Sequence, residues 1–151
     1  FRRKETFATT GPRMKVRFFA GFEYSDDMLS DSNLTRLAYD GGVPMGGDLA
    51  QAHEGANLKL MVYASKDPLG ANLDRIQIVK GWLDNEGESQ EKVFDVALSD
   101  GREADLRTGR APPVGNTVDV ADASYANSIG AATLSVCLFA FMSVCLRHLS
   151  D

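Results

Sequence analysis

Few residues in this chain are of types that do chemistry, and they are widely spaced. The two cysteines, Cys137 and Cys145, lie eight positions apart in one apolar run, and the two histidines, His53 and His148, stand alone. Structural zinc sites use Cys-x-x-Cys pairs or histidines at short intervals. The spacing therefore predicts buried thiols and argues against a histidine-based metal site within this chain.

A glycine-rich segment, residues 43–49 (VPMGGDL), has the composition of a phosphate-binding loop. It lacks the Gly-Lys-Ser/Thr ending of a P-loop, and no strong strand precedes it. Glycines also let another stretch of backbone pass close by. We favour this second interpretation, and phosphate binding is the weaker alternative.

A row of basic residues, Arg13, Lys15 and Arg17, alternates with apolar residues in the segment 13–22. This period of two predicts a strand with one cationic face. Such a face could bind an anionic group. Alternation alone, however, also predicts the solvated face of an outer strand, and this is the interpretation that we favour.

The clearest structural element is a β-hairpin in residues 72–98. Ile76 and Ile78 alternate with polar neighbours in its first half, and Phe94, Val96 and Leu98 do so in its second. A polar turn joins the halves, and Trp82 is expected to pack across the pair.

The other patterns are shorter. They predict β structure at 6–10, a short helix or two helical turns at 26–39, strands at 58–64, 116–123 and 131–136, and loops at 66–70 and 100–114. Asp31 or Ser32 is the expected N-cap of the second helical turn. The prediction is a mainly β protein, an antiparallel β-sandwich-like region with one or two short helices.

Charge and hydrophobicity argue against two classes of protein, those that bind nucleic acids and those that span a membrane. The net charge of −5 over 151 residues argues against general nucleic-acid binding, which requires basic faces. The apolar run that begins at Cys137 is too short to span a membrane. The chain begins with Phe1 and shows no export signal, so we expect it to be a fragment whose natural N-terminus lies upstream.

Several phrases, taken in order, resemble the family catalogued as domain of unknown function 3604 (DUF3604). After residue 136 the family pattern expects an acidic, aromatic and proline-bearing segment, whereas this chain has an apolar one. We therefore expect a frame change or a truncation in the tail. The phrases are ETFATTGPR (5–13), VRFF (16–19), GVPMGGDL (42–49), KDP (66–68), NLDRIQ (72–77), KGW (80–82), EKVFDV (91–96), GNTVD (115–119) and IGA (129–131).

The resemblance implies a relation to the polymerase-and-histidinol-phosphatase (PHP) superfamily of metal-dependent hydrolases. Members look like manganese- or zinc-dependent phosphoesterases or aryl sulfatases, with His-x-His and Asp-x-His ligands on an α/β barrel. None of these motifs occurs here, so no catalytic or metal-binding residue is assigned. By this resemblance, residues 1–12 end the barrel domain, 13–136 form a β-rich C-terminal region, and 137–151 are an aberrant tail.

What the resemblance implies for this chain is a supporting role. The chain would shape the pocket for a small anionic ester, and its partner would be the missing barrel of the same polypeptide, which would bind the divalent metal. A periplasmic or extracellular location is also implied. The residues nearest the barrel, Thr9, Thr10, Gly11 and Arg13, are the first candidates for contacting substrate, and Gly46, Gly47 and Asp48 are the second.

Two other interpretations stay open. The chain could be a β-sandwich binding module without catalysis, which would require exposed aromatic residues on one surface, drawn from Tyr24, Tyr63, Trp82 and Tyr125. Alternatively, the isolated fragment could fold poorly, because removing a barrel would expose the apolar surface that docks against it.

Overall fold

A computed structural model describes residues 1–50 and 56–140. The predictions for His53, Cys145, His148 and most of the apolar tail concern residues outside these ranges. The described protein is mainly β, with antiparallel open sheets, as the sequence predicted. Its elements are β1 (Lys15–Gly21), a 3-10 helix (Asp26–Ser30), α1 (Leu34–Asp40), β2 (Gly42–Pro44), β3 (Lys59–Ser65), β4 (Arg75–Leu83), β5 (Ser89–Leu98), β6 (Val118–Asp119), β7 (Ser124–Tyr125) and β8 (Thr133–Phe139).

The strands form three sheets. One has four strands in the order β2-β1-β3-β8, and the pairs β4-β5 and β6-β7 make the other two. The chain divides into two compact units, which are described separately. One comprises residues 1–5, 18–50, 56–61 and 137–140, and the other comprises Thr6–Arg17 and Val62–Val136.

The first unit has a small core built around Tyr24. Phe19, Tyr24, Ala38 and Met61 are buried together, and the Tyr24 hydroxyl donates a hydrogen bond of 2.6 Å to the Ala38 carbonyl. Phe19 also meets the Tyr39 ring edge-on, with the centroids 5.1 Å apart. The period of two in residues 13–22 places Phe19 on the same face as Arg13, Lys15 and Arg17, the face that we interpreted as solvated. That assignment is wrong because this part of β1 is covered by the helical segment.

The two helical turns predicted between residues 26 and 39 are confirmed, and α1 ends at Asp40 with Gly41 as its C-cap. The N-cap prediction is wrong. Asn33 is the N-cap of α1, and Asp31 instead accepts a hydrogen bond of 2.7 Å from the Asn33 amide through Oδ1. Asp31 thus shapes the turn that precedes the helix, an alternative use of short polar side chains near helix starts.

The second unit is built on the β4-β5 hairpin, which is confirmed. Its register runs from Arg75↔Leu98 to Leu83↔Ser89, with a β-bulge between Ile76 and Gln77. At the turn, Asp84 Oδ1 accepts the amides of Glu86 and Glu88, at 3.0 and 2.9 Å. A polar side chain of this kind commonly stabilises a turn by binding its backbone.

Three strand predictions need correction. Residues 6–10 form no strand, since Gly11 and Pro12 follow at once and the segment finds no ladder partner. The strand predicted at 116–123 is limited to Val118–Asp119, paired with Ser124–Tyr125. The last strand, β8, continues through Cys137 to Phe139, past the boundary predicted at 136, and Cys137 packs against the buried core of the first unit.

Candidate functional site

The segment that contains Thr9, Thr10, Gly11 and Arg13 lies exposed in the second unit. Its position is fixed by Asp67, whose Oδ2 accepts the Arg13 amide at 2.7 Å. Asp67 also accepts the Leu69 amide through Oδ1, at 3.0 Å. The hydrogen bonds from Arg13 and Leu69 hold the pKa of the Asp67 carboxyl below its usual value. A hydrogen bond at Arg13 therefore holds the backbone of this exposed segment in place.

The Asp67 turn is the one that the sequence predicted at residues 66–70. The Gly70 amide donates to the Asp67 carbonyl at 2.9 Å, and Lys66 Nζ donates to the Gly70 carbonyl at 3.1 Å. A β-carbon at Gly70 would lie 3.6 Å from Cβ of Pro12, so the turn packs against the residue before Arg13.

Arg13, Lys15 and Arg17, here called the cationic row, are all exposed, while Met14 and Val16 between them are partly buried. Alternate residues of a strand point to the same face and lie about 6.6 Å apart. Within the described residues, none of the three forms a salt bridge. Lys15 and Arg17 lie on β1, and Arg13 lies two residues before it. The row therefore offers three positive charges to solvent along up to about 13 Å of backbone.

The second group of candidates, Gly46, Gly47 and Asp48, belongs to the first unit. Gly46 has a φ of +86°, and a β-carbon there would collide with the Arg3 carbonyl oxygen. The predicted close approach of another backbone segment is thus present at this glycine. The carbonyls of Arg3 and Lys4 occupy the space beside it, and the Asp48 side chain lies exposed, 3.9 Å from Lys4 Nζ.

The structure also shows a polar cluster that the sequence patterns did not reveal. Asp95, on β5, has a side chain with 0% exposure, and its Oδ2 receives Arg75 Nη1 at 2.7 Å. Gln77 Nε2 donates to Oδ1 at 2.6 Å, and the Ala111 amide donates to Oδ2 at 2.6 Å. Burial alone would raise the pKa of Asp95, but these hydrogen bonds and the Arg75 charge lower it overall.

The same cluster extends to Asp74. Its carboxylate binds Arg75 Nε at 2.8 Å through Oδ2 and Arg102 Nη2 at 2.6 Å through Oδ1. Burial opposes ionisation here too, but the two guanidinium groups lower the pKa of Asp74. Arg102 also donates to the carbonyls of Ser99 and Pro112, at 3.1 and 2.7 Å. The cluster fastens the irregular segment 99–112 to the hairpin.

A sequence signal for this cluster existed. Asp95 interrupts an otherwise apolar face of a strand, and a buried charge is expected to have a partner of opposite charge. Its direct neighbour across the hairpin is Gln77, and Arg75 lies two positions before Gln77. Finding that pairing required the hairpin register, which the long turn left uncertain.

The aromatic residues considered for a binding surface have different environments. Tyr24 is fully buried, so its assignment to an exposed surface is wrong, because the ring fills the core of the first unit. In the second unit, Trp82 and Tyr125 are 39% and 49% exposed. Lys80 Nζ lies 5.0 Å from the centroid of the Trp82 ring, which faces Gln90 across the hairpin.

A surface cleft of about 520 Å³ lies at the turn end of the hairpin, beside Trp82. Its other lining residues come from the two facing strand ends: Gly81, Leu83, Ser89, Gln90 and Glu91.

The described residues contain neither a metal-binding cluster nor a membrane-spanning helix. Between residues 1–50 and 56–140, no group of three or more His, Cys, Asp or Glu residues is placed to hold a metal ion. No helix in that part of the chain is long and apolar enough to cross a membrane.

Comparison with known proteins identifies a family. A family model described as "Protein of unknown function (DUF3604)" matches residues 1–138. No curated protein and no solved structure matches the chain. Because the family model covers most of the sequence, the chain belongs to the DUF3604 family.

Proposed function

We propose that this chain is the non-catalytic C-terminal part of a metal-dependent hydrolase of phosphate or sulfate esters, related to the PHP superfamily. In this role it supports a barrel encoded upstream and shapes the substrate pocket. The observation that carries the proposal is the exposed Arg13, held in place through its backbone by Asp67. A guanidinium group matches the oxygens of a phosphate or sulfate ester with two parallel hydrogen bonds.

Support for a non-catalytic role comes from the state of the acidic residues. General acid–base catalysis is most efficient when the pKa lies near the working pH. The shifted carboxyl groups here have lowered pKa values instead, and each is engaged by backbone amides or by Arg, Gln or Thr side chains. These residues are Asp67, Asp74, Asp84, Asp95 and Asp105.

The described residues do not fit a resident divalent metal. Asp74 and Asp95 lie on either side of the Arg75 guanidinium, and both bind it. Arg102 and Arg110 provide further positive charge beside them. Burial raises the pKa of the Cys137 thiol, which disfavours the thiolate that metals bind. The manganese or zinc ion of the proposed enzyme would therefore be bound by the barrel, where metals of this kind activate water.

The genomic DNA around this reading frame gives the first test. An upstream frame with His-x-His and Asp-x-His motifs is expected, with a shifted continuation after Val136. An open reading frame that starts near Phe1 with no barrel nearby would contradict the proposal.

A kinetic test follows on the complete polypeptide, with 4-nitrophenyl phosphate and 4-nitrophenyl sulfate as substrates. Arg13→Gln is expected to lower kcat/KM by about 10- to 100-fold, since hydrogen bonds to charged groups contribute about 1.5–3 kcal/mol. Lys92→Gln, which removes an exposed positive charge from β5, serves as the matched control. Equal activities of the two variants would show that Arg13 does not contact the substrate.

A binding module without catalysis is the second candidate, favoured by the cleft beside the partly exposed Trp82. Amphipathic aromatic rings are common in binding surfaces. Trp82 is the single tryptophan of the chain, so its fluorescence reports directly on this cleft. A saturable change on adding oligosaccharides, absent in Trp82→Phe by a second binding method, would support this candidate.

A further inference from the structure

The cationic row has a geometry that one small ester does not use fully. Arg13, Lys15 and Arg17 place three charges along up to about 13 Å, whereas a single phosphate or sulfate group reaches one or two of them. The intervening Met14 and Val16 are partly buried, which fixes the alternation and keeps the three charged side chains on the solvent side. The row is thus spaced for a ligand with several negative groups in line.

One negative charge lies at the Arg13 end of the row. Asp67 binds the Arg13 amide, and the Arg13 charge contributes to the low pKa of its carboxyl group. Lys15 and Arg17 have no such neighbour among the salt bridges of the described residues. Asp67, which also lies near Lys66, therefore offsets part of the positive potential at the Arg13 end of the row.

A competing explanation exists for basic residues here. Strand β2 pairs only with residues 19–21 of β1, so in the described part of the chain the ladder on that side does not extend to residues 15–17. Lysine and arginine on an open strand edge hinder edge-to-edge association. This role requires charge but no ligand, and the two explanations predict different behaviour.

We propose that the cationic row binds an extended polyanion, a chain bearing sulfate or phosphate groups at roughly the spacing of alternate strand residues. The assignment rests on the proposed function, which it deepens: the ester substrate is one group of an oligomeric anion, and the row holds the groups that are not being cleaved. Sulfated polysaccharide and polyphosphate share the chemistry that the row recognises.

The test is direct binding to the full 151-residue chain, without turnover. The probes are a heparin-type sulfated tetrasaccharide and a short linear polyphosphate, each compared with inorganic sulfate or phosphate at equal ionic strength. At least one polyanion is expected to bind tighter than its monomeric ion, and which one binds identifies the source. If neither does, the proposal is overturned.

Variants locate the site. Lys15→Gln and Arg17→Gln are each expected to weaken polyanion binding about fivefold, the Coulomb contribution of one charge pair at contact distance in water. Lys92→Gln, which also removes an exposed positive charge in the second unit, is expected to change it little. Asp67→Asn keeps an acceptor for the Arg13 amide but removes the opposing charge, so it is expected to strengthen binding by a similar factor.

Self-association separates the ligand site from edge protection. If the Lys15→Gln/Arg17→Gln double variant associates while its polyanion affinity is unchanged, the row only protects the edge, and the proposal is overturned. If polyanion binding holds but the complete polypeptide cleaves no ester, the proposed function fails while the binding site stands.

Discussion

Arg75 and Asp95 form an ion pair at 2.7 Å in which the Asp95 side chain has no solvent exposure and the Arg75 side chain has 11%. Around this pair, Arg75 also donates to the carbonyls of Ala111 and Pro112, and Asp95 also accepts from Gln77 and the Ala111 amide. Among the described residues, no buried side-chain nitrogen or oxygen lacks a hydrogen-bond partner. This pair is therefore a structural anchor of the second unit.

Removing Asp95 should be costly. Asp95→Ala takes one of two carboxylate partners from the partly buried Arg75 and leaves the Gln77 and Ala111 amides without their acceptor. Breaking a buried pair costs about 3–5 kcal/mol. Urea unfolding measures the loss. Asp48→Ala is the control, since the Asp48 side chain is 99% exposed, and surface changes usually stay within about 0.5 kcal/mol. Equal costs for the two variants would show that the pair is not an anchor.

Low pH is expected to reduce the free energy of unfolding through the cluster of Asp74 and Asp95. The pKa values of Asp74 and Asp95 are lowered in the folded state, against about 3.9 in the unfolded chain. Their stabilisation is therefore complete above that pH and is lost as the pH falls through the folded-state pKa. Urea midpoints measured from neutral to acidic pH should fall steeply below about pH 4. Asp95→Asn should flatten this decline, and an unchanged acid limb would rule out the cluster as its cause.

High pH is expected to destabilise the first unit through the ionisation of Tyr24. Burial, with a contribution from Cys137, raises the pKa of Tyr24 to about 12, against about 10 in the unfolded chain. Stability from the neutral hydroxyl is thus complete below the unfolded value and is lost as the pH rises through the folded-state pKa. Tyrosinate absorbance should show one group ionising late, and Tyr24→Phe should remove it. A Tyr24→Phe titration with the late group intact would contradict the assignment.

Gly46 and Gly87 offer a matched pair. Both have positive φ angles, +86° and +83°, but a β-carbon at Gly87 meets nothing within 4 Å, whereas one at Gly46 collides with the Arg3 carbonyl. Each Gly→Ala variant should pay for backbone strain, about 1–3 kcal/mol, and Gly46→Ala should lose more. Deleting residues 1–4 should relieve only the Gly46 variant. Equal unfolding free energies for the two variants would mean that the N-terminal segment does not rest on Gly46.

Local patterns predicted the elements whose signals lie within a few residues. The hairpin, the helical turns between residues 26 and 39 and the 66–70 turn all follow from alternation, helical periodicity and turn chemistry. The features that local patterns did not predict depend on contacts with residues elsewhere in the chain. Phe19 is buried because α1 covers it, and Asp95 is buried because Arg75 and residue 111 reach it from elsewhere in the chain.

The candidate site divides in the same way. The sequence placed Arg13, Lys15 and Arg17 on one exposed face, and their exposure agrees. The anchor that fixes Arg13 could not be read locally, because Asp67 lies 54 positions away. The roles of Thr9, Thr10, Gly11, Gly46, Gly47 and Asp48 in substrate binding stay predictions.

The segment 99–112 has no regular secondary structure, yet its amides should exchange with solvent slowly. Ala111 donates to the buried Asp95 carboxylate, and the Gly109 amide donates to the Asp105 carbonyl at 2.7 Å. The Asp95 amide in turn binds the Gly109 carbonyl at 2.9 Å. Deuterium uptake at residues 109 and 111 should therefore follow the opening of the hairpin itself, since amides held by one cooperative unit exchange together. Measured by amide exchange, this irregular segment is expected to be as protected as the two strands of the β4-β5 hairpin.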